Sequence, residues 1–60
     1  MNDFINYQYE INHLQRQGKI SEETSRTLKS HYGLYDDYDV ERKLRNEGVS
    51  YFDIDLVLNR

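Results

Sequence analysis

Sixty residues make one domain at most, spanning 1–60, and a domain this small buries only roughly 60% of the surface its unfolded chain exposes. The chain has no cysteine, which excludes disulfides and thiolate metal sites as supports. Eleven acids against eight bases give a net charge of −3, the wrong sign for a nonspecific nucleic-acid binder.

Good helix signals or a partner surface are the remaining supports for so small a chain. Mean hydropathy is low, at −1.00, but six tyrosines and two phenylalanines add apolar area that this index understates. No stretch is apolar enough for a membrane span or a signal-peptide core. The expected compartment is the cytosol. A small acidic chain of this kind suits a phage or mobile-element accessory protein.

The first predicted helix is Met1–Gln17. Phe4, Tyr7, Ile11 and Leu14 recur at spacing three, four, three and make one apolar seam. Ile5 and Tyr9 form a second pair beside it, Asn2 or Asp3 can cap the start, and Gly18 ends the helix. Ser21–Tyr32 is the second helix, capped by Ser21, with Glu22 and Glu23 in the first turn where the dipole favours acids. Its apolar face is thin: Ile20, Leu28 and Tyr32, with Thr24 between. Gly33 is expected to stop it.

Leu34–Tyr38 is a linker too short to separate two domains. Asp36 is the expected cap of the third helix, which runs to about Glu47, and Tyr35 and Val40 stand at the two positions of a hydrophobic staple. Gly48 suits the left-handed residue that ends a helix. Ser50 then caps a fourth helix, with Asp53 three residues on, and Val49 and Ile54 form a second staple. No segment alternates as a strand does. The fold class predicted is all-α: a small bundle of three or four short helices with a C-terminal helix-turn-helix corner.

In the last helix Ile54, Val57 and Leu58 face one way, and Phe52 and Leu56 face roughly the other. A surface helix on a small bundle needs only one apolar stripe. The second stripe is therefore a candidate contact surface for a second copy or a partner. The residues assigned to it are Tyr51, Phe52 and Leu56, with Tyr7 and Tyr9 next. Acids around them are expected to steer the chain toward a basic partner surface, such as that of a DNA-binding protein.

No catalytic set emerges, and no enzyme or cofactor is expected. His13 and His31 are far apart in sequence with no nucleophile beside either. Asp36, Asp37, Asp39 and Glu41 lack the glycine and terminal glutamate of a calcium loop. The rival to protein binding is direct DNA binding, less favoured and most plausible as a dimer. Leu44, Gly48, Ser50 and Ile54 have helix-turn-helix spacing, but Asp53 and Asp55 would face phosphates. Arg42, Lys43 and Arg45 form the only dense basic patch and are the candidate nucleic-acid contacts; otherwise they are a solvated face, paired in part with Asp39, Glu41 and Glu47.

Lys43-Leu44-Arg45-Asn46-Glu47-Gly48-Val49-Ser50-Tyr51-Phe52-Asp53-Ile54, continuing to Val57-Leu58, resembles the helical repeat of RecX-type regulators of the RecA recombinase. Those repeats show a basic helix, a turn with glycine and an aliphatic or aromatic residue, then an aromatic-acid-isoleucine helix. The resemblance covers the last third of the chain. RecX-type proteins are several times longer, with tandem three-helix repeats lying in the RecA filament groove, and this chain has length for one repeat plus an extra helix. The resemblance implies a short helical module that touches a DNA-repair, SOS-response or repressor protein.

Overall fold

A computed structural model describes residues 3–60, Asp3 by its backbone only. It contains four helices and, among the described residues, no strand: α1 (Asp3–Arg16), α2 (Glu22–Ser30), α3 (Asp37–Asn46) and α4 (Tyr51–Leu58). The chain is therefore all-α, a small bundle. α1 is the central element, packing against both α2 and α4, and α3 packs on α4. The cap expected at Asn2 or the Asp3 side chain lies outside the described residues.

The helix starts follow from their caps. Ser21 Oγ accepts from the Thr24 backbone N–H at 3.1 Å and Asp36 Oδ1 from that of Asp39 at 2.9 Å. Ser50 Oγ accepts from Asp53 N–H at 3.3 Å, and its hydroxyl donates to the Asp53 carboxylate. Each satisfies one donor that a helix start leaves without a partner. The stops are equally local. At Gly48, φ is +89°, a conformation that side chains with a Cβ disfavour. Gly48 N–H reaches Arg45 C=O at 2.9 Å and Val49 N–H reaches Leu44 C=O at 3.1 Å. This pair of bonds is the Schellman motif, which satisfies the last carbonyls of α3 and turns the chain toward α4.

One boundary differs from expectation. α2 ends at Ser30 rather than Tyr32, and residues 31–34 form a turn. There the Tyr32 ring is held at 4.9 Å from both the Phe4 and Tyr7 rings. Edge contacts of this kind between aromatic rings draw the turn onto α1.

The core draws on every helix and on two turns: Tyr7, Ile11, Leu14, Ile20, Leu28, Val40, Leu44, Val49, Ile54 and Val57. Tyr35 and Leu58 pack against it half-buried. Both staples are thus in the core or at its edge. Outside the core, Lys29 Nζ donates to Asn12 Oδ1 at 2.6 Å, tying α2 to α1. Ser21 N–H donates to Glu47 Oε1 at 3.0 Å, tying the start of α2 to the end of α3.

Among the described residues Ser25 is a buried polar residue whose Oγ has no hydrogen-bond partner. An unsatisfied buried hydroxyl costs about 1–3 kcal/mol, and alanine is the better helix former. Ser25→Ala is therefore expected to stabilise the fold by about 1 kcal/mol. The urea midpoint should rise at unchanged slope; a fall would mean that the hydroxyl is satisfied in solution.

Candidate interaction surface

The core stripe of α4 uses Ile54 and Val57, with Leu58 packed half-buried at its edge, and Tyr51, Phe52 and Leu56 are turned outward. Phe52 is 74% exposed, Tyr51 56% and Leu56 43%. Asn6 Nδ2 of α1 donates to the Leu56 carbonyl at 3.4 Å, which sets α1 alongside this outer face. Tyr9, 63% exposed, lies one turn along α1 from Asn6, and Phe52 lies one turn back along α4 from Leu56. Exposed aromatic and aliphatic side chains thus flank the α1–α4 contact.

Tyr7 does not belong to this surface. It is 5% exposed, in the core, and its hydroxyl donates to the Leu28 carbonyl at 2.9 Å. Burial, aided by Tyr32 and Tyr35, pushes its phenol up to about 12. The sequence signal was there: Tyr7 lies on the Phe4–Ile11–Leu14 seam, Tyr9 off it. Phe4, at the end of the seam, is half-exposed and packs on Tyr32.

The acids around the exposed stripe are engaged. Asp53 takes Lys19 Nζ at 2.8 Å, and Asp55 takes Arg60 Nε at 3.0 Å while Arg60 Nη2 also holds Glu41. Those carboxylates keep the Arg60 guanidinium charged well beyond the usual range. Glu47 is occupied by the α2 backbone. The expectation that acids beside Phe52 steer the chain to a basic partner is weakened, because Asp53, Asp55 and Glu41 are each already engaged by Lys19 or Arg60.

Arg42, Lys43 and Arg45 have the opposite status. The expected pairing with Asp39, Glu41 and Glu47 does not form, and none of the three makes an ion pair among the described residues. Each lies over a tyrosine ring instead: Arg42 over Tyr38 at 5.9 Å, Lys43 over Tyr35 at 5.1 Å and Arg45 over Tyr51 at 4.2 Å. Tyr38, Arg42 and Arg45 recur at i, i+4 and i+7, so they share one exposed face of α3. The Arg45–Tyr51 contact carries that face across onto α4. Sequence spacing located the three cations but not their aromatic partners, because the contacts of Arg45 and Lys43 cross between elements.

The remaining polar groups have local roles. His13 stacks on Tyr9, with ring centroids 6.3 Å apart. His31 Nδ1 lies 2.8 Å from the Thr27 carbonyl, which needs the proton on Nδ1. Asp36 is a cap and Glu41 an ion-pair partner. Among the described residues no group of three His, Asp or Glu side chains is placed to hold a metal ion, and no helix is long and apolar enough to cross a membrane. No family model matches the chain, and neither a curated protein nor a solved structure matches it.

Proposed function

We propose that this chain is a small non-enzymatic regulatory protein that binds another protein through the outer face of α4 and the adjoining side of α1. The observation that carries this reading is Phe52, an aromatic side chain 74% exposed one helical turn from Leu56 and outside the hydrophobic core. Aromatic residues are favoured interface anchors because they bury much area for little rotamer entropy. The RecX-like pattern over Lys43–Leu58 adds DNA-repair, recombination and repressor proteins as the target classes to test first.

Phe52→Ala is the direct test. Phe52 is outside the core, so the far-UV circular dichroism of the variant should match that of the parent. Partner capture from nuclease-treated bacterial lysate should fall by roughly 30-fold or more in affinity, about 2 kcal/mol, as for an interface anchor. Capture of nucleic acid with no stoichiometric protein would instead favour the helix-turn-helix alternative, with affinity falling steeply with salt. Assembly of the chain with itself and nothing else would assign the face to a homodimer.

A further inference from the structure

The charge pattern around α3 and α4 narrows the chemistry of that partner. The acids nearest the exposed stripe are satisfied within the chain: Asp53 by Lys19, and Asp55 and Glu41 by Arg60. Of the acids of α3, Asp37 and Asp39 lie in its first turn, at the far end from Tyr51, Glu41 is held by Arg60, and the bases Lys43 and Arg45 lie in its last turn. Among the described residues Arg42 and Arg45 therefore make no ion pair, and Arg45 reaches Tyr51, the residue before Phe52 on α4. The chain is net negative, but this face of α3 presents two exposed arginines that make no ion pair among the described residues.

The stacking matters as well as the sign. A guanidinium lying over an aromatic ring is held by the ring face, while its edge N–H groups remain free to donate. Those edges match a carboxylate bidentately. Arg42 and Arg45 are three residues apart on one helix, about 5–6 Å between Cβ atoms. Two carboxylates one helical turn apart on another helix have the same spacing. A polyanion such as nucleic acid would meet the repulsion of the whole chain over its length, whereas a discrete carboxylate pair meets only this local field.

We infer that the surface formed by Arg42, Arg45, Tyr51, Phe52 and Leu56 receives an acidic amphipathic helix of a partner protein, two carboxylates on the arginines and the apolar side on Phe52 and Leu56. This rests on the protein-binding reading above and assigns the partner's class.

The test uses the full chain and three probes: a synthetic amphipathic helix with leucine on one side and glutamates at i, i+4 along its edge, the same peptide with lysine in place of glutamate, and oligothymidine. In a nitrogen-15 NMR titration the glutamate peptide should move the Arg42 and Arg45 Nε–Hε signals together with the Tyr51 and Phe52 amides. Affinity should fall with salt, and by about tenfold or more in a variant carrying Arg42→Gln and Arg45→Gln. Both positions are exposed, so the variant should fold. Equal or tighter binding of the lysine peptide with the arginine signals unmoved overturns the acidic class while leaving the apolar face standing. Oligothymidine moving the same signals assigns the face to nucleic acid instead. Silence with the glutamate peptide also overturns the inference, and the Phe52→Ala capture experiment then judges the protein-binding reading separately.

Discussion

Leu44→Ala should leave much of the chain unfolded at 37 °C. Truncating a fully buried leucine costs about 2–5 kcal/mol, the transfer loss plus the cavity left behind. At the usual stability per residue, a chain of sixty residues holds roughly 3–9 kcal/mol in total. Leu44 is 0% exposed, and its carbonyl accepts the Val49 N–H that closes the turn after α3. Val49, 3% exposed, is the partner that accompanies such a turn, so the side chain fixes the direction in which the chain leaves for α4. Losing it loosens the core and the corner together. Leu34→Ala is the matched control, because Leu34 is 76% exposed and its loss should move the urea midpoint by no more than about 0.5 kcal/mol equivalent. Equal midpoints for the two variants would show that α3 is not held by the core described above.

The residues that were readable in the sequence are those whose role is local. Ser21, Asp36, Ser50 and Gly48 declare themselves because a cap or a left-handed stop is decided within a few residues, and the staple pairs Tyr35–Val40 and Val49–Ile54 lie within one helical turn. The outward turn of Phe52 and Leu56 was equally legible, since it follows from a hundred degrees per residue. What could not be read depends on contacts between elements. Ser25 sits inside because α1 packs over α2, not because serine seeks burial. Arg42, Lys43 and Arg45 were expected to pair with acids close in sequence, yet Glu41 and Glu47 are claimed by Arg60 and by the Ser21 backbone, from distant parts of the chain. That redistribution leaves Arg42 and Arg45 without an ion pair among the described residues, and it is why the partner chemistry inferred from the fold differs from the one suggested by the composition.

Tyr7 predicts a second large effect, at high pH. Its phenol is pushed up to about 12 chiefly by burial, which disfavours the phenolate, against an ordinary value near 10 in the unfolded chain. A group whose folded value is raised contributes stability that is complete below the unfolded value and is lost as pH climbs through the folded one. The loss should therefore begin near pH 10 and finish above pH 12. Two units at about 1.4 kcal/mol each set an upper bound on the order of 3 kcal/mol. The cleft beside Tyr7, lined also by His31, Asp37 and Asn59, lets solvent soften the penalty, so about 1–2 kcal/mol is the expected figure. Tyr7→Phe isolates this contribution. At pH 7 the variant should lose about 1 kcal/mol, because the Leu28 carbonyl, in the last turn of α2, gives up the hydroxyl that satisfies it at 2.9 Å. Between pH 10 and 12 it should decline less steeply than the parent, so that the two thermal-melting curves converge. Parallel curves across that range would mean that Tyr7 ionises without opening the core, and that the ring is not sealed between α1, α2 and the 31–35 turn.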